Sequence, residues 1–400
     1  MRWLAKYGPL FLPAILLLIA RALLDFNGLF GRDSNSYFHF ANDILQSFSG
    51  PAELGTYSWP VMYPFLGALL SWTTSAPLDL ALQGISMLAL TGFLWNMRQL
   101  LQESWPGRNH NVFWLALVAL SPYLLRAAII VLPDALGLFF VSGALLHFSR
   151  SVRYSTVTSF AWFGLFSALA ITTQFQTLVL LLPLGISTIG NALRRWQYLH
   201  IAIAFGLFFM MWIPEWSIKG TDLQHSFGSD FFRSWRPLHW FQSSFNSPFG
   251  PPDDYLLPNI LFGFNSLVHP GYCVLGAGLL AFFRKEDWHR PLLQISLIAY
   301  GLYALFISGI PFQNNRFFLA SFPFLLLALN PAWYRLQDWL ERWGGLKKAF
   351  PIVLVAVQLS LCCIPVYRAW DYNLKNPHGL DVTEGLDRYT QLQPKERTKP

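Results

Sequence analysis

Gly31-Arg32-Asp33-Ser34-Asn35-Ser36-Tyr37-Phe38-His39-Phe40-Ala41 follows directly on the first apolar run of the chain. From Tyr37 the apolar positions Tyr37, Ala41, Ile44, Leu45 and Phe48 recur at helical spacing. Asp33 or Ser34 is expected as the N-cap, and Ser49-Gly50-Pro51 as the stop. A short amphipathic helix beside a span is expected to lie on the membrane surface, which puts the Asp33 carboxylate at the bilayer edge. The same loop continues through Trp59-Pro60-Val61-Met62-Tyr63-Pro64-Phe65-Leu66. Its apolar stretch 61–72 is too short to cross a bilayer and reads as re-entrant or interfacial.

Working outward, the rest of the chain sets the same context. Of 400 residues 54% are hydrophobic and only 12% charged, against about 25% charged in soluble domains. The expected class is an all-α polytopic membrane protein. About eleven apolar segments are long enough to span, with nine to twelve as the range: 8–27, 79–100, 111–130, 132–149, 158–172, 174–191, 198–216, 260–283, 291–310, 316–333 and 350–366. The net charge of +7 points to basic loops on one side of the membrane rather than to nucleic acid. With the N-terminus in the cytoplasm, inner loops hold 15 Lys and Arg. Outer loops hold six: Arg32, Arg126, Lys219, Arg233, Arg236 and Arg316. This supports that orientation. Residues 1–366 form one transmembrane domain with two long outer loops, 28–78 and 217–259, and 367–400 form a short polar outer tail. Cys273, Cys362 and Cys363 sit in or beside apolar runs and have no metal or disulfide spacing.

The polar residues that interrupt this pattern gather at the outer ends of the spans. Asp33 reads either as a helix cap or as a general base taking a proton from an attacking hydroxyl. Arg126 and Arg316 stand at the edges of apolar runs, where arginine either snorkels or binds something. With Lys219, Arg233 and Arg236 they form a set able to clamp a phosphate. Asp134, after Pro133, suits a first helical turn and also acceptor orientation. Tyr37, Tyr63, Gln174 and Gln176 are candidates to contact a sugar or to support the site. Asp33, His39 and Asp134 are the candidate ligands if a divalent metal is used; a metal-free site is the other reading.

The order of these motifs resembles the GT-C superfamily of membrane glycosyltransferases, which use polyprenyl- or dolichyl-phosphate sugars. The resemblance lies in Asp33-x3-Tyr37-x3-Ala41 and Tyr63-Pro64-x-Leu66 in the first loop. It continues in Leu132-Pro133-Asp134-Ala135-Leu136 and in Asn315-Arg316-Phe317-Phe318-x4-Pro323. The protein-mannosyltransferase and aminoarabinose-transferase branches are similar, and the Asp-Ser-x-x-Tyr form is also similar to mannosyltransferases of glycosylphosphatidylinositol lipids. Ser34 stands where many relatives carry a second acid. The resemblance implies Asp33 as catalytic base, and Arg126 and Arg316 at the donor phosphate. It also implies inverting transfer from a polyprenyl-phosphate sugar to a lipid, glycan or protein hydroxyl on the outer face; the short loops and compact tail point to a bacterial inner membrane rather than the endoplasmic reticulum. The rival classes are a transporter or lipid flippase, a non-catalytic assembly subunit, and another lipid-phosphate enzyme. A transporter should show mid-span charges and repeat symmetry, and neither is evident in the sequence.

Overall fold

The structure is a computed structural model. It describes residues 8–361 apart from 9, 12–13, 16–17, 20, 24–25, 51–56, 58, 107–110, 221–233, 246–252, 255–257, 270, 273–274, 312–314 and 345–348. The tail 367–400, the three cysteines and Arg233 lie outside the described residues.

The first loop is helical, as its spacing predicts. Helix α1 (Gly31–Ser47) buries Tyr37, Phe40, Ala41 and Ile44 on one face, and α2 (Met62–Thr74) packs beside it. The start of α1 differs from expectation. Its N-cap is Phe30, with Asp33 in the first turn, and Ser34 Oγ accepts the Phe30 N–H at 2.6 Å. Asp33 is therefore released from capping, and its carboxylate is left for other partners.

The bundle continues with α3 (Leu78–Ser104), α4 (Asn111–Ala119), α5 (Pro122–Ile129), α6 (Asp134–Tyr154) and α7 (Val157–Thr173). Then come α8 (Thr177–Arg194), α9 (Tyr198–Met210), α10 (Ile213–Lys219), α11 (Pro291–Ser308) and α12 (Phe322–Glu341). Helix α6 packs between α3 and α7, α9 lies on α7, and α11 joins α8 to α12. Helix α12 is almost wholly buried, whereas α9 has no buried residue and turns Leu199, Phe205 and Phe209 outward. The face of α9 turned away from α7 is apolar and exposed, as suits contact with lipid. Close packing needs small residues in such a bundle: a Cβ on Gly164 of α7 would fall 2.3 Å from the Ala204 carbonyl oxygen of α9.

Among the described residues six helices are long and apolar enough to cross a membrane, and Val157–Thr173 and Ala349–Leu361 are shorter apolar helices. Two expected spans are broken. The segment 111–130 divides at Ser121-Pro122, where proline brings no N–H and Ser121 Oγ bonds the Gly271 carbonyl at 2.6 Å. The segment 260–283 divides into Asn259–Phe262, Asn265–Val268 and Gly276–Leu279. Mean hydropathy over a window does not register either break, because the breaking residues are few and uncharged. In the second long loop Ser244–Phe245 and Asp253–Asp254 form a two-residue antiparallel ladder, and Pro237–Phe241 is a short 3-10 turn.

The bundle end away from Asp33 is closed by ion pairs. Arg150 meets Glu103 at 2.5 Å. Arg335 grips Asp287 with two bonds, at 2.5 and 2.7 Å, while its Nη1 also bonds the Phe282 carbonyl at 2.8 Å. Burial pushes the Asp287 carboxyl up, but the Arg335 bonds and the Arg284 N–H outweigh it and hold the group below the usual carboxylate range. A depressed folded-state pKa contributes stability that is complete above the unfolded value of about 3.9 and is lost as pH falls through the folded value. Asp287→Asn should therefore cost about 2–3 kcal/mol near neutrality. Its deficit should shrink below about pH 4, as followed by thermal melts of both proteins across pH. A deficit that stays constant down to pH 3 would contradict the assignment.

Candidate functional site

At the other end of the bundle, three elements distant in sequence bring Asp33, Asp134 and Arg316 together. Asp33 comes from the first turn of α1. Asp134 opens α6, where a negative charge complements the helix dipole. Arg316 lies in the 3-10 turn Asn315–Ser321 before α12. Arg316 Nη2 contacts Asp33 Oδ2 at 2.7 Å, and its Nε lies 3.8 Å from Asp134 Oδ2. Exposure separates the two acids: the Asp33 side chain is 34% exposed and the Asp134 side chain 5%. One carboxylate is partly accessible, and the other is enclosed beside the arginine.

The segment leading into Asp134 is held from several sides. Val131 N–H bonds the Gly28 carbonyl at 2.8 Å, and Gly28 has φ +86°, a conformation that favours glycine. Gln83 Nε2 bonds the Ile129 carbonyl at 2.8 Å, and Ser86 Oγ the Leu132 carbonyl at 3.3 Å. The Tyr63 hydroxyl meets Ser86 Oγ at 3.0 Å, and its ring stands edge-on to Tyr37 at 5.7 Å. Tyr37 and Tyr63 are both buried, so here they support the floor of the site.

Gln174 Nε2 donates to Asp134 Oδ1 at 2.8 Å from the turn between α7 and α8. Thr177 Oγ1 steadies that turn by donating to the Gln174 carbonyl at 2.8 Å. A Cβ on Gly137 would fall 2.7 Å from Gln174 Oε1. Gly137→Ala should push the amide off Asp134 and reduce whatever turnover the site supports by roughly tenfold, the scale of one lost bond to a charge. Full activity in that variant, measured in the transfer assay described below, would show that Gln174 does not orient Asp134.

The expected phosphate cations do not all converge. Arg126, with its guanidinium 5.9 Å from the Phe30 ring centre, and Arg316 both act electrostatically on Asp134. Arg236 lies near the end of α11: its N–H bonds the Gly309 carbonyl at 2.9 Å, and its side chain bonds the Trp235 carbonyl at 2.8 Å. Lys219 is turned inward, 2.9 Å from the buried Glu215, and also bonds the Trp59 carbonyl. Glu215, Gln83, Ser86 and Tyr303 were not among the residues singled out from sequence. The Glu215–Lys219 pair has the i,i+4 spacing of a helical ion pair, a signal available from the start.

The candidate metal set does not assemble. Arg316 lies between Asp33 and Asp134, and among the described residues no three His, Cys, Asp or Glu side chains form a group that could hold a metal ion. A cation, Arg316, already pairs with both acids.

No protein-family model and no curated protein matches the chain. Among solved structures it is similar to ArnT from Cupriavidus metallidurans. With the apo form the TM-score is 0.58 at 15% identity, covering 89% of this chain and 74% of ArnT. With ArnT bound to undecaprenyl phosphate the TM-score is 0.58 at 14% identity, covering 95% and 78%. This whole-bundle likeness shows that the chain shares the polytopic, all-helical fold of ArnT.

Proposed function

We propose that the protein is an inverting membrane glycosyltransferase that moves a sugar from a polyprenyl-phosphate donor to an acceptor hydroxyl. The observation that carries this reading is Arg316 held between a half-buried and a buried carboxylate at one end of the bundle. Such an arginine can pass from Asp33 to an incoming phosphate while Asp134 keeps its position. Asp33 is then free to take the acceptor proton as the hydroxyl oxygen bonds to C1. The C1–O bond to phosphate breaks on the opposite face, and the leaving polyprenyl phosphate carries the negative charge. Arg316 and Arg126 stabilise that charge with bonds that strengthen as it develops. Undecaprenyl phosphate bound to a protein of the same fold supports this class of donor. No step calls for a metal.

The active end is assigned to the periplasmic side of a bacterial inner membrane, with the N-terminus cytoplasmic. The Lys/Arg bias supports this orientation, since Arg98, Arg150, Arg153, Arg194 and Arg195 all lie toward the opposite end of their helices.

The test is transfer by the purified protein from a panel of labelled polyprenyl-phosphate sugars to extracts of its own membranes. Label should move from at least one donor to an acceptor. Binding of the lipid phosphates with no transfer from any of them, by folded protein, would favour a transporter or flippase.

A further inference from the structure

Tyr303 lies in the second half of α11, a largely apolar helix, and is fully buried. Its hydroxyl donates to the Phe317 carbonyl at 2.7 Å, and Phe317 is the residue after Arg316. The Gln176 side chain lies beside the same hydroxyl and acts on it. Gln176 belongs to the turn that also carries Gln174, the amide bound to Asp134. A ring of contacts therefore closes. It runs from the Arg316 guanidinium to Asp134, to Gln174, along the turn to Gln176, to Tyr303, and back to the backbone beside Arg316. The turn bearing Arg316 is 3-10, with poorer internal bonds than an α-helix, so bonds from outside decide where it sits. Ser321 Oγ, bonded to the Phe318 carbonyl at 2.8 Å, steadies the far end of the same turn.

We propose that Tyr303 is a positioning residue for Arg316: its hydroxyl fixes the backbone under the guanidinium and, through Gln176, keeps that turn in register with the one orienting Asp134. This rests on the polyprenyl-phosphate reading above. The guanidinium can then change partner, from the Asp33 carboxylate to a phosphate, without its backbone moving. Preorganisation of this kind is where much of the stabilisation of a developing charge arises.

The test uses the full chain in lipid nanodiscs with undecaprenyl phosphate as the probe. Dissociation constants are measured for wild type, Tyr303→Phe, Arg316→Gln and the double variant, with thermal melts to check folding. Tyr303→Phe removes one oxygen and leaves the ring. It should weaken binding about tenfold, the scale of a buried carbonyl left without its donor. In the Arg316→Gln background the same change should cost less than about twofold, because residues that act through one another are not additive. A purely packing role would give an equal loss in both backgrounds and would overturn the proposal, as would wild-type affinity in Tyr303→Phe. If Tyr303→Phe does not fold, Gln176→Leu in the same two backgrounds reads the other limb of the ring by the same criterion. Wild-type protein that fails to bind the probe, or binding indifferent to Arg316→Gln, would sink the donor reading and this inference with it. Binding that needs Arg316 but ignores Tyr303 and Gln176 would sink this inference alone.

Discussion

Asp33→Asn should abolish measurable transfer, lowering kcat by roughly 10²–10⁴-fold, the usual contribution of a positioned general base. The fold should persist. Asp33 neither caps α1 nor lies buried: Ser34 bonds the Phe30 N–H, and a third of the Asp33 side chain is exposed. Arg316 would keep Asp134 as a partner. Loss of the nearer carboxylate removes a competitor for the guanidinium, so the donor KM should stay level or fall while kcat collapses. That split marks an interaction made with the transition state rather than with the bound donor. Asp134→Asn should behave differently. Its carboxylate is enclosed, bonded to Gln174 and close to Arg316, so its removal unseats the arginine proposed to bind phosphate and should raise KM as well as lower kcat. Steady-state kinetics on both variants, against the labelled donor and with melts alongside, separate the roles. Asp33→Asn turnover within a few-fold of wild type would remove Asp33 as the base.

The readable part of this site was the part encoded locally. Tyr37, Ala41 and Ile44 reveal α1 because they repeat at helical spacing beside an apolar run, and Pro133-Asp134 marks the opening of α6. Arg126 and Arg316 stood out because an arginine at the end of an apolar run needs a reason to be there. What could not be read was how these residues meet. That Arg316 returns to pair with Asp33 is a property of the folded bundle. So is the Tyr303 contact: a tyrosine within an apolar helix looks like any core aromatic until its hydroxyl is seen against Phe317. The break at Ser121-Pro122 was hidden by apolar neighbours that kept the hydropathy high. Without that break a single continuous helix would replace α4 and α5, and the segment that delivers Asp134 would start from a different place. Sign and position alone place Lys219 with the phosphate cations, although its nearest acid is one helical turn away.

The Glu215–Lys219 pair should prove the most costly single point of failure outside the active end. Glu215 Oε1 lies 2.9 Å from Lys219 Nζ, and Oε2 accepts the Val61 N–H at 2.9 Å. The ammonium also bonds the Trp59 carbonyl and lies 5.9 and 5.6 Å from the Phe40 and Phe175 rings. The pair thus ties α10 to α1, to the start of α2 and to the turn before α8. Both side chains are enclosed, at 0% and 6% exposure. Glu215→Gln keeps an acceptor for the Val61 N–H but leaves an ammonium without its counter-charge, and should cost about 3–5 kcal/mol. Lys219→Met removes the cation paired with that carboxylate and should cost a similar amount. The double variant Glu215→Gln with Lys219→Met should recover most of the loss, because Gln can still accept from Val61 and no charge remains buried. Thermal melts of the four proteins at one scan rate decide the matter. Losses that simply add in the double variant would mean that the two groups stabilise the bundle independently, and the link between α10 and the first loop would then rest on packing alone.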